Sequence, residues 1–146
     1  MAKLAFYKAP GNWQDKLIRW GTMSEYSHVE LIGPDGLGWS ASVREGTVRR
    51  IPIDFWDGNW DVLEVPWADT REIAANMLPE MGKKYDMFGI VASHVLSANR
   101  SSQDKWFCSE VIAHCMGFAV PHEFSPGTLY RQCKYINQIM EGGSDG

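Results

Sequence analysis

The sequence predicts an α+β fold, an antiparallel sheet packed against helices. Three observations carry that expectation. Strand-like alternation fills the first half of the chain and helical periodicity the second, the order expected when strands pair with their neighbours before helices cover them. A run of turn residues, "GPDGLG" at 33–38, joins two alternating segments in the manner of a hairpin. Finally, 146 residues with 45% hydrophobic and 12% aromatic content suffice for one buried core.

The elements follow in order. "KLAFYKA" (3–9) is a short strand closed by Pro10 and Gly11. "NWQDKLIRWGT" follows with Asn12 as N-cap, placing Trp13, Leu17 and Trp20 on one helical face. "SHVELIG" (27–33) alternates, with Val29 and Leu31 on one side and His28 and Glu30 on the other. After the turn, "WSASVREGTVRRIPI" resumes alternation, with Trp39, Ala41 and Val43 apolar. "WDVLEVPW" (60–67) is a further strand. "DTREIAANMLPEMG" (69–82) is helical from an Asp69 or Thr70 cap, with Pro79 disturbing its last turn. "KYDMFGIVASHVL" (84–96) is a second helical stretch, followed by the polar loop 97–104. "KWFCSEVIAHCMG" (105–117) is a helix ended by Gly117 as C′, and "SPGTLYRQCKYINQIM" (125–140) is the last. Residues 1–141 form a single domain on this reading, and 142–146 a disordered tail.

Composition excludes several classes. A formal charge of −4 leaves no basic footprint for nucleic acid. Arg44, Arg49 and Arg50 form a local basic cluster that solvated surface explains. Three cysteines without a CxxC pair argue against a disulfide framework and for a reducing compartment. "LAF" is too short for a signal-peptide core, and no apolar run approaches the ~18 residues of a membrane span. The expectation is therefore a cytoplasmic protein. No HExxH, Cys/His ligand cluster or glycine-rich phosphate loop is present, so neither metal nor cofactor is expected.

Cys108 raises the question of chemistry. It falls in the first turn of its helix, where unpaired N–H groups favour a thiolate and draw thiols below their free pKa of about 8.5. A nearby imidazole would complete the activation by ion pairing. Of the four histidines, His94 and His114 lie within helices and His122 beside Glu123 in a loop. His28 alone opens a strand face rich in polar groups. Matching polar faces across the hairpin requires paired residue numbers to sum to about 70 or 72. Either register gathers His28, Glu30, Ser40 and Ser42 into one polar patch, which the wet face of a half-buried strand also explains. Cys115 belongs to the core, and Glu110 points away from the thiol's face.

These residues resemble the circularly permuted branch of the NlpC-type papain-like hydrolases, which includes YiiX-like proteins. "SHVELIG-PDG-LGWSAS" is similar to the family's histidine hairpin, "GKKYD" (82–86) to a segment carrying a cleft-lining tyrosine, and "WFCSEVIAHCMG" to its nucleophile helix. "SPGTLY" is similar to the closing stretch after that helix. The likeness covers roughly residues 24–48 and 82–130. It implies a permuted papain-like topology, with Cys108 as nucleophile and His28 as general base. The family's third polar residue falls on Ser40, a departure, since a hydroxyl stabilises imidazolium less than a carboxylate. Glu30, where the family is usually small, either orients His28, binds substrate or stays solvated. Tyr85 and Ser42 are candidate substrate contacts; a core tyrosine with a satisfied hydroxyl explains Tyr85 equally.

The implied activity is acyl transfer by a cysteine nucleophile, of amidase or peptidase type. Peptides, peptidoglycan fragments and acyl lipids are the substrate classes implied, since relatives include wall amidases, endopeptidases and lecithin–retinol-type acyltransferases. Stand-alone domains of this kind are common in phage genomes. The alternative is a catalytically weakened binding module holding a ligand or protein in an aromatic cleft, with Trp39, Trp56, Trp60, Trp67 and Trp106 as lining candidates. Oligomeric state stays open.

Overall fold

The computed structural model describes residues 1–8, 25–42, 47–82 and 106–143. Five strands form one antiparallel sheet: β1 (Ala2–Tyr7), β2 (His28–Ile32), β3 (Gly38–Ser42), β4 (Thr47–Ile51) and β5 (Trp60–Val65), in the order β4-β3-β2-β1-β5. Among the described residues three α-helices follow: α1 (Thr70–Met77), α2 (Trp106–Cys115) and α3 (Pro126–Gly142). The architecture is α+β, as the order of strand and helix signals predicts. The expected helix after Asn12, the helical stretch 84–96 and Tyr85 lie outside the described residues. No helix among the described residues is long and apolar enough to cross a membrane.

Alternation assigns each strand an apolar side. Leu4 pairs with Leu31 and Leu63, Phe6 with Val29, and Ala41 with Val48. Apart from the partly buried Leu63, which packs against them, their side chains are buried with Ile73, Met77, Ile112, Leu129 and Cys133 from the helices in one core. α2 lies against β2 and β3, while α3 lies against α2 and β5. Such interdigitation of a sheet face with helices is the main stabilising term for a domain of this size.

The caps match their residue types. Asp69 accepts the N–H groups of Arg71 (2.8 Å) and Glu72 (3.0 Å), so it opens α1. Pro79 ends that helix in a 3₁₀ turn, Leu78–Glu80. Gly117 takes φ 88°, with Phe118 N–H donating to Ala113 O and Gly117 N–H to His114 O. That pair of bonds is a Schellman termination of α2, and its positive φ suits glycine. Ser125 and Thr128 cap α3 reciprocally, ahead of Pro126 at N1.

Two expectations need correction. The stretch after the turn is not one strand: Ser42 pairs with Thr47, so the chain reverses and β4 adds beside β3. The sequence does mark the reversal: apolar alternation through Trp39, Ala41 and Val43 stops at "REGT" (44–47), and Val48 resumes it in the opposite parity. The last helix also continues through Glu141 and Gly142, with Gly143 as its cap, into residues expected to be tail.

Candidate active site

The β2–β3 ladder holds only near its turn. Leu31 pairs with Trp39 and Ile32 with Gly38, the first of the two expected registers, and no further pair is registered among the described residues. Beyond it, the Ser40 hydroxyl donates to Val29 O at 2.7 Å, bridging the strands where backbone rungs stop. α2 packs against both strands. Its first turn carries Cys108, whose side chain is buried and hydrogen-bonded to the imidazole of His28. Residues from the two ends of the chain thus meet.

Behind His28 stands a carboxylate. His28 Nε2 is 2.7 Å from Glu30 Oε1, on the same strand two residues on, where side chains share a face. Nδ1 is therefore the nitrogen left for the sulfur. Glu30 is fully buried and held a second time, by Arg49 of β4. Arg49 Nη2 donates to Oε1 at 2.7 Å and Nη1 to Oε2 at 2.8 Å, a bidentate clamp. Arg49 pairs with Ser40 in the β3–β4 ladder, so it reaches Glu30 across the small serine. Gly38 supplies space on the same face. A Cβ there would sit 2.5 Å from the Ile53 side-chain tip and 3.0 Å from Glu30 Oε2.

The charges act on one another strongly. Burial works to lower the His28 pKa, but the facing Cys108 sulfur, by charge and by hydrogen bond, and the Glu30 carboxylate outweigh it and push it up to about 10. Burial alone would raise the pKa of Glu30; hydrogen bonds and charge from His28 and Arg49 hold it below the ordinary carboxylate range. The other two described cysteines differ in kind. Burial, assisted by Glu80, pushes Cys115 up to about 11, and burial pushes Cys133 up to about 12.

Of the residues singled out by sequence, Cys108, His28 and Glu30 come together. Ser40 does not take the orienting position: it is fully buried and its hydroxyl is committed to Val29 O and, at 3.5 Å, to Ala41 O. Ser42 sits half-buried at the end of β3, opposite Thr47. Ser40→Ala is accordingly expected to cost about 1–2 kcal/mol of stability, from a lost buried hydrogen bond, and to leave Cys108 reactivity unchanged. Urea denaturation alongside thiol alkylation checks both halves.

Arg49 is the residue that sequence reasoning missed. The sequence reading grouped it with Arg44 and Arg50 as solvated surface, and alternation continued from Trp39, Ala41 and Val43 would put it on the apolar side; the reversal before β4 sets it opposite Ser40, on the His28 face. In fact Phe55 is buried, with Ile53 beside Gly38 and Glu30, so the outer face of the sheet is partly covered. Beside the imidazole stands an aromatic wall: Trp60 lies 6.4 Å from the His28 ring, 5.0 Å from Tyr7 and 5.3 Å from Phe55, all edge-on. Among the other tryptophans proposed for a cleft, Trp39 is core, Trp56 is 78% exposed, and Trp67 donates to Asn137 of α3. Ser109 ties the start of α2 to a neighbouring loop, donating to Phe124 O at 2.6 Å.

An antiparallel sheet with late-sequence helices on one face defines the class, an α+β fold of YiiX-like type. Among solved structures the chain is similar to the metalloprotein yiiX from Escherichia coli O157:H7, a DUF1105 protein. The TM-score is 0.51 at 22% identity, covering 78% of this chain and 62% of that one, so the chain spans less than two thirds of its neighbour. No family model matches the sequence, and no curated protein does.

Proposed function

We propose that this protein is a cysteine acyl-transfer enzyme of amidase or peptidase type, on a permuted papain-like fold. One observation carries the reading: a cysteine in a helix's first turn is hydrogen-bonded to an imidazole backed by a buried carboxylate. The early histidine strand and late cysteine helix follow the order of the permuted branch. The fold likeness to yiiX is consistent with that reading.

The steps follow from the atoms. With His28 protonated through neutral pH, its positive charge stabilises the thiolate form of Cys108. The sulfur attacks the carbonyl carbon of an amide, ester or thioester, and the displaced electron pair moves onto oxygen. Backbone N–H groups at the start of α2, including that of Cys108, are suited to hold that oxyanion. The intermediate collapses, and the leaving group departs with the proton from His28. Neutral His28 then takes a proton from water, whose oxygen attacks the thioester. The acid leaves, and the sulfur and imidazolium are restored.

The alternative of a weakened binding module rested on Ser40 as a poor orienting group. Glu30, bonded to His28 Nε2, is a stronger acceptor than a serine hydroxyl, which favours the enzyme reading. yiiX is a metalloprotein, but no group of three or more His, Cys, Asp or Glu among the described residues is arranged to hold a metal ion. The Glu30 carboxylate already faces the cation of Arg49, which would oppose a second cation, so no step here runs through one.

Alkylation tests the reading. At pH 6, iodoacetamide is expected to label Cys108 at least about tenfold faster than Cys115 or Cys133, read by peptide mass spectrometry. Equal rates at the three positions would remove the basis for a nucleophile. Peptide amides, peptidoglycan fragments and acyl lipids are then the substrates to screen.

A further inference from the structure

The sheet face behind His28 carries a charge that the reaction itself does not use. Arg49 is bonded to Glu30, and Glu30 to His28, the partner of the sulfur. Both Glu30 oxygens are occupied by its guanidinium, and Oε1 is the oxygen that also meets His28 Nε2. The carboxylate is fully buried and the Arg49 side chain is only 14% exposed. A buried glutamate on a strand has several rotamers and a tendency to take up a proton. A planar two-point clamp removes both freedoms: it fixes the plane of the carboxylate and favours its charged form.

We infer that Arg49 is a positioning residue for the Cys108–His28 pair: by holding the Glu30 carboxylate in two hydrogen bonds, it keeps the imidazole ring aimed at the sulfur. The inference rests on the acyl-transfer reading and extends it by one residue. Two features of the fold suit the arrangement. Ser40, between Glu30 and Arg49, is small enough for the guanidinium to pass over it, and Gly38 leaves room beside Oε2. Lysine could not replace arginine here, because a single ammonium cannot present two parallel N–H groups to both oxygens. The bonds seen here run from Cys108 to His28, from His28 to Glu30 and from Glu30 to Arg49, which gives Arg49 a path to the sulfur through Glu30.

The test is the pH dependence of iodoacetamide labelling at Cys108 in R49K, R49M, E30Q and E30Q/R49M, with folding followed by circular dichroism. R49K is expected to label about tenfold more slowly than the parent at pH 6, a one-unit shift of the acid limb. R49M should fall further, and E30Q/R49M should match E30Q, because the effect of Arg49 passes through the carboxylate. A profile for R49K that superimposes on the parent overturns the inference. So does a second, independent drop when R49M is added to E30Q. If R49M alone does not fold, R49K and the double variant, which carries no unmatched buried charge, still decide. Failure of the acyl-transfer reading is seen separately, as parent Cys108 labelling no faster than Cys133.

Discussion

Replacement of His28 by alanine is expected to slow alkylation of Cys108 at pH 6 by about 10- to 1000-fold, the equivalent of removing an opposite charge worth one to three pKa units. The prediction is large because the imidazolium is both the hydrogen-bond partner and the nearby cation for the sulfur. It is specific, because Cys115 and Cys133 owe their raised pKa values to burial and should label at their parent rates. On the proposed acyl-transfer reading, kcat should fall by about 10²–10⁴, the usual contribution of a positioned acid–base group. His28→Ala also leaves Glu30 with Arg49, so the buried carboxylate stays paired and the variant should fold. A parent-like pH–rate profile in His28→Ala would assign the histidine to structure alone.

The second large effect is on stability. Glu30→Ala should cost about 3–5 kcal/mol, because it strands Arg49 as a largely buried cation without its counter-charge. Glu30→Gln keeps the shape and one acceptor, and should cost less, about 1–3 kcal/mol. The pH dependence has a definite sign. The Glu30 pKa is lowered by folding, so its contribution is present above the ordinary carboxylate range and is lost as pH falls through the native value. The His28 pKa is raised from 6.5 to about 10, so its contribution is complete below 6.5 and fades as pH rises through about 10. Urea melts at pH 3, 7 and 10.5 should therefore show the parent and Glu30→Gln furthest apart at pH 7. An equal gap at all three values would mean that Glu30 contributes volume rather than charge.

Much of this site was visible in the order of residues. Strand parity put His28 and Glu30 on one face, and the turn at 33–38 limited the hairpin to two registers, one of which is observed. The Asp69 or Thr70 cap and the glycine at 117 marked helix ends at or near their true places, and the last helix was expected to begin at Ser125, which proves to be its cap. Arg49 was hidden because one strand was read where the chain reverses between Ser42 and Thr47, and because alternation is silent on what lies over a face. Ile53, at the end of the alternating stretch, and Phe55, beyond it, cover that face. Ser40 was assigned by resemblance in sequence to a role that the neighbouring strand's Glu30 fills.

The sequence by itself determined the α+β class, the parity of the sheet and the presence of one cysteine at a helix start, because these depend on interactions a few residues long. The tertiary structure alone decided that the sulfur meets His28, that β2 and β3 stop pairing beyond their turn, and that Glu30 is buried against Arg49. Each of these depends on two or more strands or a distant helix arriving at the same place. A charge that looks solvated along one strand is neutralised by another two strands away, and local pattern holds no record of that distance.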